Sequence, residues 1–471
     1  MTFQEAYPLS RPSPETNTVI VQGALTDPEL QDIETEHGPT VLSASTPSVT
    51  VSALEKWNHP RSNIYKTLTT FWSFLVMGAN DAAYGPLIPY LESDYNLTYT
   101  VVSLVFLSPL AGYSLAAILN NKIHLSLGQR GVAVIAPGCH LVSYITNCLH
   151  PTYPVLVVSF IFAGFGNGLA DSAWNAWIGN MANANEVLGL LHGLYGVGAV
   201  LSPFLVTSLI TKAGVGWWYF YYIMIACTAI ELITCLASFW TSTGSVFRKA
   251  LASNSSSQNG ARSSSSSGGG VKKALFSQPS ARVTWICALF LLAYVGIEVA
   301  LGGWIVTFMI NVRHGGAFSS GMTATGFWLG ITVGRVVLGF VTPRIGEKVA
   351  IIAYILLEMA FGLILWLVPH FYASAVAVSL QGFFLGPLFP AAVVVTTKLL
   401  PKHLHVSSIG FAAAFGGGGA AALPFAVGAI AQAKGVQVLQ PFILGLSGWI
   451  LSLWLGLPRI GKAKLELGLT D

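Results

Sequence analysis

Five acidic side chains, Asp81, Asp171, Glu231, Glu298 and Glu358, stand inside long apolar runs. An ionised carboxylate at the centre of a bilayer costs about 2.5–3.5 kcal/mol even on lenient scales, so such groups face a water-filled cavity or a partner. Asp81 and Asp171 each have an amide at hand: Asn80 adjoins the first, and Asn175 follows the second by one helical turn. A carboxyl beside an amide can hold a hydroxylated solute or carry a proton, so these two are the leading candidates. Apolar Ala170, Ala173 and Trp174 bracket Asp171, which suits it to the proton. Asp81 adjoins Asn80 and an expected helix break at Gly85-Pro86, where freed backbone groups and water suit it to the solute. The plainer roles are a cap on that break for Asp81 and an interhelical hydrogen bond for Asp171. Glu298 falls on Asn80 when Gly78 and Gly296 are overlaid, which gives it a place at both the proton and the solute sites. Trp174, Trp177, Trp304 and Trp328 could stack on a sugar ring, although packing is the commoner use of such rings. Trp174 is kept with Asn80, Asp81, Asn175 and Glu298 as the candidate solute contacts. Glu231 and Glu358 are expected to be packed polar residues, and His192 to satisfy a neighbour.

The elements that must position these residues follow from composition. The 471 residues are 53% hydrophobic and 9% charged, against roughly 25% charged in soluble domains. Spanning ~30 Å of hydrocarbon takes about 20 helical residues. That ruler places helices near 66–91, 98–119, 129–149, 153–178, 187–211 and 217–240, and again near 283–311, 320–342, 348–368, 372–397, 405–431 and 436–457. The fold class is therefore all-α membrane, twelve helices in two halves, 66–240 and 283–457. Residues 1–65 read as a disordered cytoplasmic tail, 241–282 as a Ser/Gly-rich flexible linker and 458–471 as a second tail. Lys122, Arg130, Arg248, Arg344, Lys348 and Lys398 fall in gaps on the side of the N-terminus, whereas the other side has only Lys212, Arg313 and Lys434. Both termini are thus expected in the cytoplasm. The net charge of +4 belongs to this orientation and not to nucleic acid.

The halves also resemble each other. Tyr195 to Val206 (YGVGAVLSPFLV) lies over Gly416 to Val427 (GGGGAAALPFAV) without a gap, and Gly164-Phe165 and Gly168 match Gly382-Phe383 and Gly386. Parallel six-helix repeats put a solute path at their interface. Gly339, Arg344, Gly346 and Lys348 form a spaced motif after the eighth helix, with a looser copy in Lys122, Gly128 and Arg130 after the second. On these residues the chain resembles the major facilitator superfamily over 66–457. The resemblance assigns Lys122, Arg130, Gly339, Arg344, Gly346 and Lys348 to a cytoplasmic gate, where small residues let helices approach and basic groups dock on helix C-termini or acidic partners. Asn80-Asp81 with Pro86 and Pro89, the run GNGLADSAWN and the run YVGIE further resemble the fucose:proton symporter branch and its fungal members. There the fourth-helix acid is usually Glu and an amide stands where Glu298 is.

No nucleophile and base pair, GxxxxGK loop or metal-ligand spacing occurs outside the apolar runs, so no enzyme, cofactor or metal is expected. The cysteines lie singly in apolar runs and read as packing residues. The sequon at Asn96 lies in a very short external loop and is expected to be unmodified. The expected function is secondary transport of a sugar-like or other polar solute, coupled to protons, by a monomer in the plasma membrane. Export of a metabolite or toxin and a non-transporting nutrient sensor are the alternatives.

Overall fold

A backbone that crosses hydrocarbon must satisfy its own N–H and C=O groups, and a helix does so within one segment. The computed structural model describes residues 55–249, 280–401 and 404–458, and its regular structure is helical apart from an isolated bridge between Lys56 and His59. The N-terminal half holds α1 (Ser62–Tyr95), α2 (Leu104–Leu127, entered through the single turn Tyr99–Val102), α3 (Gln129–Cys148), α4 (Tyr153–Gly179), α5 (Ala184–Thr211) and α6 (Tyr219–Phe239). The C-terminal half holds α7 (Ser280–Asn311), α8 (Ala317–Ile345), α9 (Glu347–Leu367), α10 (Phe371–Leu385 with Leu388–Leu399), α11 (His405–Lys434) and α12 (Leu439–Gly456). Eleven of these are long and apolar enough to cross a membrane on length and composition alone. The exception is α1, whose Asn80, Asp81, Glu92 and Asp94 dilute its apolar surface. Side chains such as Ile118 (75% exposed) and Phe340 (72%) on the outside of the bundle suit lipid and not water.

The two halves are built alike. α1 packs on α5 as α7 packs on α11, α2 on α4 as α8 on α10, and α3 on α6 as α9 on α12. Each second helix ends at a glycine in the positive-φ region, Gly128 at 72° and Gly346 at 93°, and the third helix begins at the next residue. Side chains with a Cβ adopt that conformation only at a cost, so the glycine sets the reversal. Between the halves, α1 meets α7, α2 meets α11 and α5 meets α8.

Two expectations about helix breaks are exchanged. α1 runs without interruption through Gly85-Pro86, because its prolines lie where α7 packs closely and neighbours can compensate for the lost bonds. The break falls instead in α10, expected as one helix, between Leu385 and Leu388. Pro387 and Pro390 lack the N–H groups that would bond the carbonyls of Phe383 and Gly386. The tail expected through residue 65 is helical from Ser62, and Asn63 Nδ2 donates to Glu55 Oε2 at 2.9 Å. Most of that tail (1–54), most of the linker (250–279) and the C-terminal tail from 459 lie outside the described residues.

Gly85 marks a close approach of the halves: a Cβ there would collide with the carbonyl oxygen of Gly302 on α7. Gly85→Ala is expected to cost about 1–3 kcal/mol through overpacking, read as a lowered midpoint of thermal unfolding in detergent. An unchanged midpoint would show that α1 and α7 are not held at this distance.

Candidate functional site

Asn167, Asp171 and Asn175 follow one another at four-residue spacing and so share one face of α4. That face meets Asp81 of α1 and Tyr195 of α5. Asp81 Oδ1 accepts from Asn80 Nδ2 at 3.0 Å and from Asn167 Nδ2 at 3.1 Å, and Oδ2 accepts from the Tyr195 hydroxyl at 2.9 Å. Asp171 has a single side-chain donor among the described residues: Asn175 Nδ2, 2.8 Å from Oδ1. Asn175 Oδ1 in turn meets His192 Nε2 of α5 at 3.1 Å, and Phe74 sets its ring edge-on to the imidazole at 5.4 Å. Tyr113 of α2 stands close to both Asp81 and Asp171. The two carboxylates, three amides, His192 and two phenols thus form one cluster.

The C-terminal half contributes a charge pair. Glu298 on α7 is 8% exposed, and its Oε1 lies 3.4 Å from an Arg335 nitrogen on α8. The same guanidinium reaches the Tyr294 hydroxyl at 3.5 Å, one turn before Glu298, and its Nε donates to the Gly386 carbonyl at 3.2 Å. That carbonyl is one of those freed by the break in α10, so the prolines of α10 create an acceptor that anchors Arg335. Tyr195, which donates to Asp81, also lies within electrostatic reach of Glu298, and His192 within reach of Arg335. The clusters of the two halves therefore face each other across the seam between α5 and α8.

Contacts along that seam are uneven. Gly321 lies against Thr207 and Gly196 against Thr332, but Gly189 and Gly193 on the same face of α5, and Gly339 one further heptad along α8, meet nothing. The seam is closed on one side of His192 and Arg335 and open on the other. The open side is the end carrying Lys122, Arg130, Arg344 and Lys348. At the opposite end, Gln432 Oε1 accepts from the Tyr99 backbone N–H at 2.8 Å, Asn311 Nδ2 donates to the Tyr99 hydroxyl at 2.9 Å, and Lys212 sits 4.5 Å over the Phe318 ring. These contacts join the halves. Trp304, whose indole donates to the Pro424 carbonyl at 2.9 Å, fills the space behind them.

Some expected site residues lie elsewhere. Trp174 is 1% exposed and stacks on Phe239 of α6 at 4.6 Å, so it supports α4 from behind and does not line the cluster. Glu358 is fully buried away from the cluster, with Gln381 Nε2 2.7 Å from its Oε1. The basic motif makes its described contacts within its own halves: Arg130 lies 5.1 Å over Trp240, and Lys348 Nζ donates to the Leu457 carbonyl at 2.7 Å, at the C-terminus of α12. Docking on a helix C-terminus is found. For Lys122, Arg130 and Arg344 no acidic partner across the gate is found among the described residues. Lys122 and Arg344 are exposed, Gly339 faces open space and Gly346 provides the turn into α9. Sequence reasoning missed Asn167, Tyr195, Tyr294 and Arg335. Arg335 carried its own signal, a cation in mid-helix where charge is costly.

The family model of the Major Facilitator Superfamily matches residues 70–348. The chain belongs to that superfamily. A Saccharomyces cerevisiae relative, bypass of stop codon protein 6, is 31% identical over 83% of this chain and 82% of its own length. The glucose/mannose transporter of Bacillus subtilis is 23% identical over 75% of this chain and 85% of its own. Among solved structures, a D-xylose–proton symporter superposes with a TM-score of 0.65 at 13% identity, covering 85% of this chain and 99% of that one. A partially occluded, inward-open xylose transporter from E. coli gives a TM-score of 0.62 at 15% identity, over 84% and 99%. Major facilitator proteins are secondary transporters of small solutes and not enzymes, and this one is an integral, multi-pass member.

Proposed function

We propose that this transporter moves a hydroxylated, sugar-like solute together with protons, through the cluster around Asp81 and Asp171. The observation that carries the reading is the meeting of those carboxylates, with their amides and phenols, and the Glu298–Arg335 pair where the seam between the halves begins to open. Such a cluster offers several donors and acceptors to hydroxyl groups and a carboxyl at Asp171 that can gain or lose a proton without dismantling its surroundings. Sugar specificity is favoured by the similarity to the glucose/mannose transporter of Bacillus subtilis, and by the Asn80-Asp81 and GNGLADSAWN runs that resemble fucose:proton symporters. The positive-inside rule assigns the basic end to the cytoplasm, which makes this conformation inward-open. The plasma membrane is the proposed location and the monomer the proposed unit. Uptake of labelled D-glucose, D-mannose and D-xylose into proteoliposomes is the test. Accumulation under an inward proton gradient is expected for at least one sugar; none entering in either direction would overturn the sugar reading.

The conformational reading has its own test. Beside the Tyr99 contacts lies a cleft of about 490 Å³ between α1 and α7, next to Glu92, Asn96, Thr307 and Asn311. Two hydrogen bonds at about 1 kcal/mol each hold the halves there, so losing both in Asn311→Ala with Gln432→Ala should open this end about thirtyfold more often. A cysteine at Thr307, which is 1% exposed, should then react about thirtyfold faster with a membrane-impermeant maleimide applied opposite the termini. An unchanged rate would mean that these contacts do not hold the end shut.

A further inference from the structure

At the end of the bundle opposite the basic motif, one acid stands without a partner. Glu92 lies half-buried in the last turn of α1. Every other described acid except the exposed Glu186 receives a hydrogen bond or an ion pair from a neighbouring side chain, as Glu231 does from Ser73, Asp94 from Trp217 and Glu347 from Lys398. No such contact reaches the Glu92 carboxylate among the described residues. The cations of that end are engaged or apart. Lys212 lies on the Phe318 ring, Arg313 donates to the Ser374 hydroxyl and the Leu365 carbonyl, and exposed Lys434 forms no ion pair with a described acid. A carboxylate that gives up water without gaining a donor carries an unmet cost.

The open side of Glu92 is the cleft of about 490 Å³ between α1 and α7. Pro89, Glu92, Ser93 and Asn96 recur at helical spacing on one wall, and Thr307, Ile310 and Asn311 on the other. The walls thus offer a negative charge, hydroxyls and amides, with apolar Pro89 and Ile310 beside them. The volume lies in the range of small organic ligands and far exceeds the needs of a bare metal ion. An ammonium on Glu92, with hydroxyl groups on Ser93, Asn96, Thr307 and Asn311, is the chemistry that uses the polar groups of both walls. Those walls belong to different halves and part when this end opens. A ligand that touches both therefore binds the closed state better and shifts the population towards it.

We propose that this cleft binds a water-borne, polyhydroxylated amine from the side opposite the termini, and that the bound amine holds the halves shut there and slows transport. The charge of Glu92 is met when the site is filled. This goes beyond the sugar reading and does not depend on it, since neither the cluster around Asp81 nor the carried solute takes part.

The probe is N-methyl-D-glucamine, a polyhydroxylated cation at neutral pH, with D-sorbitol as its neutral counterpart. Calorimetric titration of the purified protein in phosphatidylcholine nanodiscs, at constant ionic strength, should show binding of the amine and none of sorbitol or sodium. Glu92→Gln should weaken that binding about tenfold, the loss of one charge-assisted hydrogen bond. Spin labels at Leu149→Cys and Tyr372→Cys, exposed positions at that end on opposite halves, report closure in a Gln432→Ala background, where the end opens more often. The amine should remove the longer distance between them, and with Glu92→Gln it should do so only at about tenfold higher concentration. Binding that is absent, or equal for sorbitol or for Glu92→Gln, overturns the site; binding that leaves the longer distance populated overturns the lock. Closure produced by phosphatidylethanolamine in the nanodiscs without the amine would make a lipid headgroup the occupant and overturn the water-borne ligand. Failure of every sugar to enter proteoliposomes would instead count against the sugar reading and leave this site standing.

Discussion

Asp171→Asn is expected to abolish solute accumulation driven by a pH gradient while leaving solute exchange across the membrane, and Asp81→Asn is expected to weaken both. Among the described residues Asp171 receives one side-chain hydrogen bond, from Asn175 on its own helix. An amide there keeps the neutral shape of the protonated acid and removes only the ability to release a proton. Asp81 holds α1, α4 and α5 together through three donors. An asparagine gives up the charge of the carboxylate and with it the strength of these charge-assisted bonds, and forces the Tyr195 hydroxyl to turn from donor to acceptor, which costs about 1–3 kcal/mol, roughly 5- to 150-fold in solute affinity. Counterflow and gradient-driven uptake, measured on the same vesicles, separate the two effects. Full accumulation by Asp171→Asn would refute the division of roles.

Arg335→Ala is expected to be the most damaging single change in the C-terminal half. It leaves Glu298 buried without its partner and the Gly386 carbonyl without its donor. Removing one member of a buried pair costs about 3–5 kcal/mol, and since the arginine side chain is 25% exposed the lower end of that range applies. The double change Glu298→Gln with Arg335→Gln removes both charges and should regain most of the lost thermal stability without regaining transport. Arg335→Lys should fall between, because an ammonium cannot reach the carboxylate and the carbonyl with the geometry of a guanidinium fork. A double variant no more stable than Arg335→Ala would show that the pair is not what holds α7, α8 and α10 together here.

The residues of this site differ in how readable they were. Helix count, the two-half repeat and the basic end follow from long apolar runs and from where Lys and Arg interrupt them, which are one-dimensional patterns. Asp81, Asp171, Asn175 and Glu298 stood out because charge in an apolar run is rare. Asn167 and Tyr195 did not, since a single amide or phenol in a Gly-rich helix acquires meaning only when another helix brings Asp81 to it. Arg335 gives no topology signal, since Lys and Arg mark orientation only in the gaps and it lies well within α8. The break in α10 and the continuity of α1 reverse the expectation from proline alone: both carry two prolines, and tertiary packing decides which helix yields. Trp174 shows the limit of proximity in sequence, for three residues after Asp171, on an adjoining strip of α4, its ring packs on Phe239 of α6 and not into the cluster.

The central claim, that solute and proton cross together through this cluster, is tested most directly by proton movement without an imposed gradient. Proteoliposomes with equal pH on both sides, in weak buffer, are given an inward gradient of a sugar found to enter, and external pH is followed with an impermeant dye. The external solution should become alkaline as the sugar enters, more slowly or not at all in Asp171→Asn. Sugar entry at the wild-type rate with no change in external pH would contradict the account.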